Sequence, residues 1–100
     1  MLTGKQRAYL RSLANSLPAK YQVGKAGFED DAFLTQIREG LEKNELIKVT
    51  VLENSDLSPR EVSDAICEMI GCEGVQAIGN KFVLYKKSKK NQKIVLPNKE

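Results

Sequence analysis

Seven residues, Leu46 to Leu52 (LIKVTVL), constrain the fold more than any other stretch of the chain. Ile47, Val49 and Val51 share one face and Lys48 and Thr50 the other, the period of two that a strand with one buried side requires. The segments on either side carry the helical period instead. Before the strand, Phe33, Leu34, Ile37 and Leu41 form an apolar stripe that starts near Glu29 or Asp30 and stops at Asn44. After it, Ser58-Pro59-Arg60-Glu61 opens a helix with Ser at the N-cap, Pro at the first position and Glu completing a capping box. Val62, Ala65, Ile66, Met69 and Ile70 make its core face, and Gly71 stands where a C-terminal glycine belongs. Strands that alternate with helices imply a partly parallel sheet with the helices packed on it.

The ends of the chain complete this pattern. Thr3-Gly4-Lys5-Gln6 is a second capping box, and Leu10, Leu13, Ala14 and Leu17 continue from it as an amphipathic helix to about residue 16, ended by Asn15-Ser16 and Pro18. Tyr21-Gln22-Val23 is a short strand that runs into Gly24-Lys25-Ala26-Gly27. Val75 to Ile78 and Lys81 to Lys86 are two strands joined by Gly79-Asn80, a pair suited to a tight hairpin. The order α-β-α-β-α-β-β predicts a compact α/β domain with a four-stranded mixed sheet packed with helices. Residues 1–87 are the expected domain. The run Lys86 to Lys93 looks too charged to pack in isolation and is expected to order on binding, and residues 88–100 are expected to form a flexible basic tail. Ile94-Val95-Leu96 is a small apolar patch within it, with no assigned docking site.

One hundred residues suit a single domain. No apolar run approaches the roughly 18 residues that span a bilayer, and the opening Met1-Leu2-Thr3-Gly4-Lys5 lacks the apolar stretch of a secretory signal. A soluble cytoplasmic protein is expected, with no membrane partner. The absence of His removes the usual general base near neutral pH. Cys67 and Cys72 have no further ligands for zinc, and the apolar surroundings of Cys67 mark it as a small core residue. Asp30-Asp31 sit where they complement a helix start. These features predict a protein that is not an enzyme and has no metal, cofactor or small-molecule substrate.

Charge is distributed in three blocks. Residues 1–28 carry five Lys/Arg and no acid; residues 29–79 carry twelve Asp/Glu against four Lys/Arg; residues 80–100 carry seven Lys against one Glu. The blocks sum to +5, −8 and +6, giving the net +3. If folding joins the two ends, they form one basic face on an acidic body, which attracts polyanions and binds them in a salt-dependent way. Between the ends lies a strand, then Gly-x-x-Gly, then a helix, the arrangement in which KH-type modules hold a nucleic-acid backbone. Glycine accepts positive φ and lets a phosphate or ribose approach the main chain, the helix amides point at the anion, and Lys25 adds charge. The candidate RNA contacts are therefore Lys5, Arg7, Arg11, Lys20, the loop Gly24, Lys25, Ala26 and Gly27, and Lys81, Lys86, Lys87, Lys89 and Lys90. Phe33 and Phe82 read as core, Phe28 and Tyr85 as either core or surface. With so few aromatics, recognition of backbone and shape is expected rather than base reading. The alternative from another class is a protein–protein adaptor that presents an acidic face of Glu39, Glu42, Glu45 and Glu53.

Four blocks also resemble a known family. Leu2 to Ala14 (LTGKQRAYLRSLA), Gln22 to Gly27 (QVGKAG), Asn44 to Val49 (NELIKV) and Ile78 to Lys86 (IGNKFVLYK) are similar, in order and spacing, to the CRM (chloroplast RNA splicing and ribosome maturation) domain. The single-domain length resembles its bacterial stand-alone YhbY-like members. The resemblance implies a fold similar to the C-terminal domain of translation initiation factor three. It also implies RNA binding and association with ribosomal RNA in large-subunit precursors, with Gly24, Lys25 and Gly27 as the family's loop. A monomer is expected. Lys86 stands where the family more often has Arg, and Asn80 where it has a bulkier or basic residue.

Overall fold

The computed structural model describes residues 2–24, 30–52, 57–90 and 92–97. Its element order is α1 (Gly4–Ala14), β1 (Ala19–Val23), α2 (Asp31–Asn44), β2 (Leu46–Val51), α3 (Pro59–Ile70), β3 (Glu73–Ile78) and β4 (Lys81–Tyr85). The four strands form one sheet in the order β1-β2-β4-β3. β1 lies parallel to β2, with Val23 opposite Val51, and β4 is antiparallel to both β2 and β3. The expected α/β fold with a mixed four-stranded sheet is the fold observed.

Local chemistry sets the boundaries. Thr3 accepts from the Gln6 amide while the Gln6 side chain accepts from the Thr3 amide, both at 3.1 Å. Ser58 and Glu61 repeat this reciprocal cap on α3, both bonds at 3.2 Å. α3 ends on Gly71 at φ 82°, whose amide bonds the Cys67 carbonyl at 2.8 Å. Gly79 has φ 61° as the first central residue of the β3–β4 turn, a backbone conformation that a side chain disfavours.

The sheet is buried on both faces. On one, Val23, Ile47, Val49, Val51, Phe82 and Leu84 pack under Ile37 and Leu41 of α2 and Val62 and Ile66 of α3. On the other, Leu46, Val75, Val83 and Tyr85 pack under Leu10 and Ala14 of α1. The central strand β4 is therefore apolar at successive positions, because Phe82 and Leu84 serve one core and Val83 and Tyr85 the other. Each fully buried side chain of this size contributes about 1.5–3 kcal/mol of burial energy. Met69, expected in the α3 core, is instead 47% exposed. α3 meets the sheet along Val62 and Ile66, and the position three residues beyond Ile66 rotates past that contact.

The end of the chain is held to the domain by two carboxylates. Glu45 caps α2 at φ 65°, the only described residue other than glycine with positive φ, and it is completely buried. Its carbonyl accepts from the Lys86 amide at 3.0 Å. Its carboxylate accepts from the amides of Ser88 (2.8 Å), Lys93 (2.6 Å) and Ile94 (2.8 Å). One turn earlier, Glu42 Oε1 accepts from the Ser88 hydroxyl (2.8 Å) and from the amides of Lys89 (3.2 Å) and Lys90 (3.1 Å). Ile94 and Leu96 then join the α1 core, and the Gln6 side-chain amide donates to the Pro97 carbonyl at 3.0 Å. The run that looked too charged to pack is thus packed through its backbone. Its lysine side chains face solvent while its N–H groups find carboxylates.

Both carboxylates are shifted below the ordinary glutamate range. For Glu45, burial raises the pKa, but the Ser88, Ile94 and Lys93 amides and the Lys87 charge outweigh it. For Glu42, the Ser88 hydroxyl is the main cause, with the Lys90 and Lys89 amides assisting against some desolvation. A carboxyl that binds protons less readily folded than unfolded makes stability rise with pH. The contribution is complete above the usual value near 4.5 and is lost as pH falls through the lowered native values. Urea unfolding midpoints are expected to hold from neutral pH to about that point and then drop. Glu45→Gln should cost about 3 kcal/mol at neutral pH by leaving buried amides without a charged acceptor, and should flatten the acid limb. Gly71→Ala, at its positive φ, should cost about 1 kcal/mol in the same assay.

Candidate nucleic-acid interface

Gly24 follows the last residue of β1, where the Leu52 amide bonds the Val23 carbonyl at 2.9 Å. Its φ lies outside the left-handed region. A Cβ there would meet only Leu52 Cδ1 at 3.6 Å, an ordinary contact. Glycine at 24 therefore offers access to the main chain rather than a turn that only glycine can make. Lys25, Ala26 and Gly27, with Phe28 and Glu29, lie outside the described residues. The helix beyond the loop does not present a free first turn. Asp30 is its N-cap and accepts from the Ala32 amide at 3.1 Å, so an incoming phosphate would compete with a carboxylate already in place.

Lys81 is at the same end of the sheet as Gly24. It is opposite Thr50, and the Val51 amide bonds the Asn80 carbonyl at 2.7 Å, which places the β3–β4 turn two strands from the end of β1, about 10 Å across the sheet. The exposed Lys81 ammonium lies 3.3 Å from Asn80 Oδ1.

Lys86, Lys87, Lys89 and Lys90 leave from the other end of β4, roughly 17 Å along the strand direction from Lys81. All four are exposed, and the Lys86 ammonium lies 3.5 Å from the Ile70 carbonyl at the C-terminus of α3. Lys5 is exposed in the first turn of α1; Gln6 of that turn and Leu2 before it line a shallow groove of about 250 Å³ with Lys86 and Lys87.

Arg7 and Arg11 lie over the β3 edge. Arg7 is half-buried and donates to the Gly74 carbonyl of β3, so its guanidinium helps to hold α1 on the sheet. Arg11 is exposed and lines, with Arg7 and with Arg60 of α3, a groove of about 640 Å³. Asp64 and Glu73 share that groove. Arg60 was not singled out in the sequence, because nothing along the chain links it to α1; only the packing of α1 and α3 on opposite faces of the β3 edge does so. Cys67 and Cys72 also line it, their sulfurs 3.5 Å apart. The Cys72 thiol donates to Cys67, which draws the Cys67 pKa down and pushes that of Cys72 up. Lys20, on the edge strand β1, is exposed beside a separate, largely apolar groove of about 360 Å³.

The expected single basic face is therefore not what the fold builds. The described candidate cations are dispersed: Lys81 lies at the Gly24 end of the sheet, Arg7 and Arg11 at the β3 edge with Arg60, Lys5 with the tail lysines at the opposite end, and Lys20 apart from these on edge strand β1. The reason is the antiparallel course of β4, which carries Lys81 and Lys86 to opposite ends of the sheet. The acidic adaptor face is also not formed as expected. Glu45 is buried and Glu42 accepts the tail, which leaves Glu39 exposed, while Glu53 lies outside the described residues. Among the aromatics, Phe82 and Tyr85 are buried and Phe33 packs on the core, whereas Tyr9 is 39% exposed. No group of three or more His, Cys, Asp or Glu is placed to hold a metal among the described residues. None of the described helices is long and apolar enough to cross a membrane.

Comparison with known proteins converges on one family. Residues 2–86 match the CRS1/YhbY (CRM) domain. The chain is 48% identical over 97 residues to "Probable RNA-binding protein YqeI" of Bacillus subtilis, covering 97% of this chain and all of that one. It is 34% identical over 98 residues to a protein named "RNA-binding protein" of Haemophilus influenzae, covering 98% and 97% respectively. A solution structure from Staphylococcus aureus, the hypothetical protein SAV1595, described as a candidate RNA-binding protein, superposes with a TM-score of 0.80 at 44% identity over 97% of this chain and all of that one. With residues 2–86 matched to the family's domain and a neighbour of 44% identity superposing at a TM-score of 0.80, the chain belongs to the CRS1/YhbY (CRM) family.

Proposed function

We propose that this protein binds RNA, and that it does so on ribosomal RNA in precursors of the large subunit, as a non-enzymatic cytoplasmic monomer. Contact is made with the phosphate backbone and the shape of the RNA rather than with base edges. The observation that carries this reading is the state of the cations. The sequence has sixteen Lys and Arg, yet among the described residues the one ion pair within 4.0 Å is Arg60–Asp64, with both side chains more than 70% exposed. Lys5, Arg11, Lys20, Lys81, Lys87, Lys89 and Lys90 are exposed and stand outside that pair, so binding a polyanion releases counterions at little cost in internal ion pairs. The names of the relatives support the same ligand class, as RNA-binding proteins.

In this reading the Gly24 to Gly27 loop and Lys81 grip one ribose-phosphate segment at the end of β1 and the β3–β4 turn. Lys25 supplies the charge there, since the Asp30 cap disfavours direct use of the helix terminus. Arg11 and the lysines at the far end hold other parts of the same backbone, which a structured RNA wider than the domain can reach together. Buried Tyr85 and Phe82 are withheld from stacking.

The test is a fluorescence-anisotropy titration with a ribosomal RNA fragment over a salt series. Affinity should fall steeply with salt. Lys25→Glu should weaken binding about tenfold, and Gly24→Asp with Gly27→Asp by at least as much, each with an unchanged unfolding midpoint. Near-wild-type affinity in both would remove the loop from the interface, and indifference to salt would remove RNA as the ligand.

A further inference from the structure

The lysine-rich segment is fixed to the domain in an unusual way for a basic tail. Its positive side chains are not its main anchor: only the Lys86 ammonium makes a hydrogen bond to the domain among the described residues. The anchoring groups are its backbone amides and the Ser88 hydroxyl, all donating to Glu42 and Glu45. Ser88 is 1% exposed and Glu45 is fully buried, whereas Lys86, Lys87, Lys89, Lys90 and Lys93 are all exposed. Hydrogen bonds to an ionised acceptor are about twice as strong as neutral ones, so the carboxylates hold the main chain and leave the ammonium groups in solvent. The consequence is a cationic surface that is already ordered before any partner arrives.

Resting on the RNA-binding reading above, we infer that Glu42 and Glu45 are positioning residues for RNA: they preorganise Lys87, Lys89, Lys90 and Lys93 as a phosphate-contacting surface at the end of the sheet remote from Gly24. A flexible basic arm would lose chain entropy on binding; an arm already held in place loses far less, and that difference appears as affinity. The sign of the resulting effect is the opposite of simple electrostatics. Removing a negative charge near an RNA site ordinarily strengthens binding. Here removing Glu42 frees the lysines it orders and weakens binding.

Three variants and one control separate the possibilities, each titrated with a fluorescent RNA hairpin and followed by amide hydrogen exchange. Glu42→Ala removes the anchor in a helix that tolerates alanine well. Ser88→Ala removes the hydroxyl donor and leaves every charge in place, so it reports on the anchor even if Glu42→Ala proves unstable. Lys89→Ala with Lys90→Ala removes the presented charges. Glu39→Ala, on the exposed surface of α2, deletes the same charge as Glu42→Ala but touches no part of the tail. Glu42→Ala and Ser88→Ala should each lower RNA affinity about three- to tenfold, with faster exchange at the Lys89 and Lys90 amides. The double lysine variant should fall by at least that much, and Glu39→Ala should bind as well as wild type or better. Glu42→Ala or Ser88→Ala binding as tightly as wild type, or a double lysine variant with unchanged affinity, overturns the inference while RNA binding stands. A wild-type protein that binds no RNA overturns the functional reading on which the inference rests.

Discussion

A buried carboxylate held by main-chain amides joins parts of this chain that are far apart in sequence. Glu45 ends α2, starts β2, and receives the chain again forty residues later through the amides of Lys86, Ser88, Lys93 and Ile94. Its backbone has positive φ, which costs a side-chain-bearing residue of order 1 kcal/mol or more. Burying its charge costs further free energy unless every lone pair is matched. Both costs are offset only because oriented N–H donors surround the carboxylate, so the residue is stable when the tail is in place. Helix end, strand start and tail are therefore one cooperative unit.

This unit explains why a sheet of only four strands can be buried on both faces in so short a chain. α2 and α3 cover one side. α1 alone is too short to cover the other, and Ile94 and Leu96, brought back by Glu45, extend its apolar cover beside Leu2, Leu13 and Leu17. β4 sits between the two cores and uses every position from Phe82 to Tyr85 for packing. That is also why its aromatics, Phe82 and Tyr85, are withheld from any ligand.

Elements whose signals are local were legible in the sequence. The Thr3–Gln6 and Ser58–Glu61 caps, Gly71, the Gly79-Asn80 turn and the alternation of Ile47, Val49 and Val51 each follow from residues within a few positions of one another, and each forms as read. Interactions that depend on strand order were not legible. Nothing near Glu45 signals that it will be buried, since its donors lie more than forty residues away. Composition marked the Lys86 to Lys93 run as unpackable because composition counts side chains, and this segment packs by its backbone. A clue was available in Phe82-Val83-Leu84-Tyr85, four consecutive apolar residues. They signal a strand with two buried faces, and so a second core that something beyond α1 has to complete. The candidate contacts were legible as charges but not as a surface, because the antiparallel course of β4 separates Lys81 from Lys86.

The acidic middle of the chain takes on a different meaning once folded. Read along the sequence, eight excess negative charges look like a surface for a basic partner, or an obstacle to RNA. In the structure the two carboxylates nearest the basic tail are engaged by its main chain, so part of that negative charge is used inside the molecule to arrange the positive charge outside it. Like charges crowded along a lysine run repel and favour an extended, disordered arm; carboxylates beneath the backbone oppose that repulsion without neutralising the ammonium groups that face solvent. A chain with net charge of only +3 can in this way present locally dense positive surfaces. The separation of those surfaces along the sheet favours a ligand that is itself extended and uniformly charged, which is the physical description of an RNA backbone.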